Sequence, residues 1–197
     1  MHARAAAHQA SHLFYDRARI LASEDGVEEM LLADQNEFGQ GDHWFLMLDD
    51  LTVTRRRYRI LRDFDRWSAR EAPVVTLRFC LQGHVEARLH DGVLHTRTGE
   101  HNVWYAPEGR YRHVLRSGSR NDVVEVYLTQ EYVTALVERH PEALEAYLAP
   151  ISRHEPFRLR PGGLPLRPQM RSVIHQLLGS RTYGPLRRLF VETKVME

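Results

Sequence analysis

One histidine in this chain stands where its chemistry could be aimed. His113 follows the turn Pro107-Glu108-Gly109, which itself follows Gly99, in the run G-E-H-N-V-W-Y-A-P-E-G-R-Y-R-H. An imidazole fixed on a strand beyond a tight turn can bond a small ligand, move a proton or help to hold a metal ion. Metal ligation needs companions. No His-x-His pair occurs in the chain, and none of the twelve histidines is spaced to set two on one strand face beside a carboxylate. His113 alone makes no metal site, so the expectation is no metal, no cofactor and no catalytic residue. The remaining chemistry is recognition, because small-barrel pockets need a few convergent polar groups among apolar walls. Trp44 and Trp104 are aromatic strand residues that serve either as core or as a wall for a ligand to stack on.

The elements that must position His113 are short strands. Glu28 to Gln35, Trp44 to Leu48 and Leu51 to Leu61 read as strands, with the turn cluster Asn36 to Gly41 between the first two. In the third, Leu51, Val53, Arg55 and Arg57 alternate with Thr52, Thr54, Arg56 and Tyr58, the period of a strand with one wet face. After a polar connection over 62–72, the strand Val74 to Leu81 puts Val75, Leu77, Phe79 and Leu81 on one side, expected to face the core, and Val74, Thr76, Arg78 and Cys80 on the other. Gln82-Gly83 and Asp91-Gly92 are turn signals, so Val85 to Leu89 and Val93 to Thr96 pair antiparallel. Asn102 to Ala106, Tyr111 to Leu115 and Asp122 to Leu128 complete the set. Alternation places Tyr111, His113 and Leu115 on one face. Short strands joined by tight turns, with no crossover helix, predict a sandwich or barrel.

The period then changes. Thr129 caps a helix, with Leu128 and Val133 as its hydrophobic staple. Pro141 starts a second short helix that ends before Pro150. After an irregular stretch over 151–163, an amphipathic helix carries Leu166, Met170, Val173, Ile174, Leu177 and Leu178, and Pro185 opens a last helix with Leu186, Leu189, Phe190 and Val195 available for burial. The apolar stripe of these two helices, including Met170, Ile174, Leu177, Leu178, Leu186 and Phe190, is a dimer seam or packs on the barrel. Ahead of the strands lies an arm over 1–27, with a short helix expected from Gln9 to Ala22. The expected division is 1–27 arm, 28–128 β-barrel and 129–197 helical subdomain. The last helix runs to Glu197 without a C-cap, which predicts that the natural protein continues.

Composition excludes several classes. The 197 residues are 43% hydrophobic, enough for a core that needs no covalent staple. The single cysteine, Cys80, lies in an apolar run, which rules out an internal disulfide and points to a reducing, cytoplasmic setting. No window has the roughly 18 apolar residues of a membrane span. With 27 Lys and Arg against 26 Asp and Glu, the chain lacks the electrostatic footprint of a DNA binder. The helix pair with Arg187 and Arg188 is joined by a connection longer than a tight helix-turn-helix allows, and both helices are too apolar to lie in a groove.

The Gly99, Pro107-x-Gly109, His113 cadence resembles the second conserved motif of the cupins, with one or two residues of altered spacing around the turn. The first cupin motif, which supplies an H-x-H pair and a Glu, is missing. Taken in order, the barrel, the Thr-capped helix, the irregular stretch and the last two helices are similar to the N-terminal half of AraC-type transcriptional regulators. The segments Leu77-Arg-Phe-Cys-Leu-Gln-Gly83 and Leu186 to Glu197 are similar to regulators of the pyochelin-sensing type. The resemblance implies a mainly β fold with C-terminal helices, a cupin-like double-stranded β-barrel or jelly roll followed by a helical dimerisation subdomain. It also implies a small-molecule effector, such as a siderophore or another metabolite; strand alternation offers Trp44, Phe79, Trp104, Tyr111 and His113 as the residues that would bind it. The partners it implies are a second copy of the chain and DNA, the latter reached only through a C-terminal domain absent here. A cupin-type isomerase or oxygenase working through Glu86, His113 or Tyr111 is the alternative.

Overall fold

The computed structural model describes residues 18–197 apart from 25, 71, 90, 91, 108, 140–148 and 181–184. Three strands come first, β1 (Ala18–Glu24), β2 (Val27–Gln35) and β3 (Gly39–Met47). Eight more follow: β4 (Leu51–Ile60), β5 (Phe64–Arg70), β6 (Val74–Gln82), β7 (His84–Leu89), β8 (Gly92–Arg97), β9 (Glu100–Ala106), β10 (Gly109–Leu115) and β11 (Arg120–Thr129). These eight divide between two antiparallel sheets, β4-β11-β6-β9 and β5-β10-β7-β8. That order is the double Greek key of a jelly roll, the double-stranded barrel of the cupins. Strands β1 to β3 widen the first sheet beyond β4, and the two-residue strands β12 (Phe157–Arg158) and β13 (Leu164–Pro165) pair with β9 at its other margin.

The sheets close on each other through small apolar clusters. Cys80 and Val123 of one sheet meet Val85 of the other, Trp104 meets Ala87 and Leu94, and Ile60 meets Phe64 and Leu115. At the β6–β7 turn, Gly83 has φ +95°, and a Cβ there would lie 2.3 Å from the Asn121 side-chain oxygen that accepts the His84 amide. Only glycine fits both demands.

The largest core lies outside the barrel. The outer face of the first sheet, including Leu46, Val53, Val75, Phe79, Val124 and Val126, packs against α1 (Gln130–Arg139), α2 (Pro168–Gly179) and α3 (Pro185–Met196) through Val133, Val137, Ile174, Leu177 and Val191. Thr129 caps α1 by accepting the Tyr132 amide at 3.1 Å, and Leu128 and Val133 share this core as the staple requires. The first sheet is therefore buried on both faces.

That double burial corrects the strand readings. Val75 and Phe79 do face a core, but it is the one beneath the helices, while Val74, Thr76, Arg78 and Cys80 turn into the barrel. Strand β4 has no wet face at Thr52 and Thr54, which are buried. Two further expectations fail. Residues 18–24 form β1 rather than the end of a helix, because the free edge of β2 satisfies their backbone groups; the rest of the expected helix lies outside the described residues. The supposed connection over 62–72 contains β5, whose polar sequence carries little strand signal but whose ladder β10 completes. The expected helix from Pro141 falls on residues outside those described, apart from a helical turn at 149–152.

Candidate functional site

The inner face of the first sheet is built from polar residues in register. Pairing aligns Phe45, Thr54, Glu125, Arg78 and Asn102 in one row, and Met47, Thr52, Tyr127, Thr76 and Trp104 in the next; His43 lies opposite Arg56 beside them. Cross-strand neighbours share a face, so these side chains converge. At the centre, the Glu125 carboxylate accepts Arg78 Nε at 2.7 Å and the Tyr127 hydroxyl at 2.6 Å, and it also pairs with Arg56. Arg78 is 2% exposed and its guanidinium lies over the Trp104 ring, 4.6 Å from the centroid.

The charges set one another. Burial opposes ionisation of Glu125, but Arg56 and Arg78 together with the Tyr127 hydrogen bond outweigh it and hold the carboxyl far below its ordinary range. For His43, burial and then the neighbouring Arg56 push the imidazole well below its usual value, so it is neutral in the fold. Burial likewise pushes Tyr58 up to about 12 and the Cys80 thiol up to about 11. Cys80 is thus a protonated, inert packing residue. Arg78 Nη1 and the hydroxyls of Thr52, Thr54, Thr76 and Thr96 are buried with no hydrogen-bond partner among the described residues. Buried donors are almost always satisfied, so a constellation of this kind needs something to bond.

The residues named from sequence divide between two faces. His113 is buried in the barrel opposite Ala87, and Trp104 lines the same interior. Tyr111 lies on β10 two positions before His113. Trp44 and Phe79 are on the outer face: Trp44 Nε1 donates to Glu29 at 2.6 Å, and Phe79 stacks on His101. Phe79 also lines a cavity of about 200 Å³ between sheet and helices, with Leu77, Met170, Leu177 and the Lys194–Glu197 ion pair. Of the helix residues, Ile174 and Leu177 are buried against the sheet, Met170, Leu178 and Phe190 are partly so, and Leu186 is 66% exposed. Glu86 is opposite Val114 and so lies on the other face of its sheet from His113, which separates the two as an acid–base pair. It faces His84 and His95 instead, whose rings approach to 3.3 Å through the hairpin register, a proximity that spacing along one strand does not disclose. Among the described residues no three His, Cys, Asp or Glu side chains are grouped to hold a metal ion.

The residues sequence reasoning missed are Arg56, Arg78, Glu125, Tyr127 and His43. Their signal was the alternating T-x-T-x-R-x-Y, T-x-R and E-x-Y of β4, β6 and β11.

The family model described as the N-terminal domain of the regulatory protein PchR matches residues 39–197. The chain belongs to this family. The membership bears out the resemblance to the cupin-like half of AraC-type regulators and spans every element of the regulatory domain from β3 to α3. No curated protein matches the chain significantly. Solved structures overlap it only in part. The EutQ protein of Clostridium difficile is 9% identical with a TM-score of 0.32 over 51% of this chain and 69% of its own. KdgF from Halomonas sp. is 14% identical with a TM-score of 0.31 over 56% and 84%. A point mutant of Bacillus subtilis oxalate decarboxylase OxdC is 11% identical with a TM-score of 0.33 over 58% and 30%.

The suppressed basicity of His43 yields a test. Below the ordinary histidine value of about 6.5 the unfolded chain binds a proton that folded His43 refuses, so its contribution destabilises the fold as pH falls, by up to about 1.4 kcal/mol per pH unit. Glu125 acts only at lower pH, since its stabilisation is complete above the unfolded carboxyl value and is lost below it. His84 and His101 are depressed as well, so the difference between proteins is the readout. Urea unfolding of wild type and His43→Leu between pH 5 and 6.5 is expected to show a shallower loss in the variant; parallel slopes contradict a neutral buried His43.

Proposed function

We propose that this regulatory domain is the effector-sensing and dimerisation half of an AraC-type transcriptional regulator. It is a non-enzymatic cytoplasmic receptor whose 28–128 barrel receives a small metabolite or siderophore and whose 129–197 segment carries the response to a DNA-binding domain beyond this chain. No helix among the described residues is long and apolar enough to cross a membrane. The reading is carried by the alternation within β6 and β11. Arg78 and Glu125 point into the barrel while their chain neighbours Phe79, Val124 and Val126 touch the helical layer. A ligand that displaces the inner set moves strands on which α2 and α3 rest. An effector that prefers one of two arrangements of sheet and helices shifts their populations by its differential affinity.

A polar strap ties the last helix to the sheet. Arg187, 6% exposed, donates Nη2 to Glu29 Oε2 at 2.6 Å, and the other Glu29 oxygen takes the Trp44 indole. Arg188 pairs with Asp49 and Glu192. Both arginines are spent inside the chain, which fits a helix that transmits rather than one that reads DNA. The outward side of α3 exposes Leu186, Leu189 and Met196, and this stripe supports a seam with a second copy.

Two experiments test the proposal. Arg187→Met leaves Glu29 without its buried partner, which costs about 3 kcal/mol locally. Hydrogen exchange is expected to show α3 amides opening faster while the β6 and β11 ladders keep their protection; unchanged α3 protection contradicts the strap. Leu186→Asp with Leu189→Asp is expected to convert a dimer to a folded monomer in sedimentation, whereas Leu177→Asp unfolds the chain. A wild type that sediments as a monomer contradicts the seam.

A further inference from the structure

On the inner face of the first sheet two buried guanidiniums share one carboxylate. Arg56 and Arg78 both pair with Glu125, and His43 beside them is neutral. Arg78 is the sharper case, because one of its donors is left over. Nε is used on Glu125, one face of the guanidinium lies on Trp104, and Nη1, deep in the protein, has no acceptor. An arginine cannot escape this by losing its proton. A buried guanidinium N–H without an acceptor is costly, and such an edge is the group best shaped to receive a carboxylate.

The surroundings narrow the guest. Thr76 precedes Arg78 by two positions on the same face and lies opposite Trp104, and its hydroxyl is also without a partner. Thr96 brings a further unpartnered hydroxyl from the opposite sheet, near Val85. Past these donors the wall turns apolar, with Trp104 packed on Ala87 and Leu94. These residues set charge-assisted and hydroxyl donors beside aromatic surface.

We infer that the barrel binds a small organic monoanion, a carboxylate with an apolar body, whose oxygens take Arg78 Nη1 and the hydroxyl of Thr76 while its body lies toward Trp104. This rests on the barrel being the effector chamber, and it adds the chemical class of the effector. The adjacent cavity under the helices does not compete for the anion, since its one cation, Lys194, is already paired with Glu197.

Sodium benzoate and its neutral isostere benzamide separate charge from shape. Each is added to the folded chain at about 10 mM and constant ionic strength, where a ligand of the native state raises its apparent stability by mass action. Both the thermal midpoint and the Trp104 indole resonance, identified with Trp104→Phe, are followed. Benzoate is expected to raise the midpoint and shift that resonance, with benzamide weaker by about tenfold or more in apparent affinity. Arg78→Met is expected to lose the benzoate response. Should that variant not fold, Thr76→Val is expected to weaken the response and Arg78→Lys to retain part of it. Equal responses to the two probes, or a benzoate response that survives Arg78→Met, overturn the anion assignment while leaving an effector chamber in place. Silence of Trp104 toward both probes also overturns it, and the sensor reading then stands or falls on the exchange behaviour of α3.

Discussion

A single carboxylate holds the polar interior of this barrel together. Glu125 sits at the centre of the most buried sheet, and Arg56, Arg78 and Tyr127 all direct donors at it. Removing two guanidiniums and a carboxylate from water is expensive, and attraction among them repays the cost only when their geometry is tight and the leftover donors are used. Inside the sheet the geometry is tight, because strand register fixes which residues are neighbours: Glu125 is opposite Thr54 on one side and Arg78 on the other. The leftover donors are what remains open. They give the interior a polar character that an oil-like core lacks.

The same sheet cannot answer to the inside alone. Alternation ties every inward polar residue to an outward apolar neighbour, and those neighbours are the floor on which α1, α2 and α3 lie. Close-packed layers of this kind pass small displacements on, since they have few voids in which to absorb them. Trp44 shows the link most directly. It rises from β3 beside His43 and Phe45, yet its indole bonds the carboxylate that clamps Arg187 of the last helix. Sensing and response thus share strands.

Much of this architecture was legible in the residues. Turn chemistry at Gly83 and Gly92, β-branched runs and the Thr129 cap located most strands and the first helix, since each is a local signal. Strand β5 was not, because F-D-R-W-S-A-R gains its stability from pairing with β10 rather than from its own composition. The site was half legible. His113 was placed in the barrel by the cupin-like turn ahead of it and Trp104 was singled out as a strand aromatic, and both line the interior. The arginines and threonines did not, because an amphipathic strand is read with its apolar side toward the core. Here the helices take that side and leave the polar one to the barrel. Phe79 and Trp44 were assigned to the pocket for the same reason, and Ile174 and Leu177 turn out to be the sheet's own cover.

The most direct test of the account is a crystal structure of the chain at a resolution that shows ordered solvent and bound small molecules inside the barrel. The account predicts guest or solvent density against Arg78 Nη1 and the threonine hydroxyls, with Glu125 still bridging the two arginines and the helices packed on the outer face. An interior filled by protein side chains, with Arg78 turned to bond the protein itself or to reach solvent outside, contradicts it.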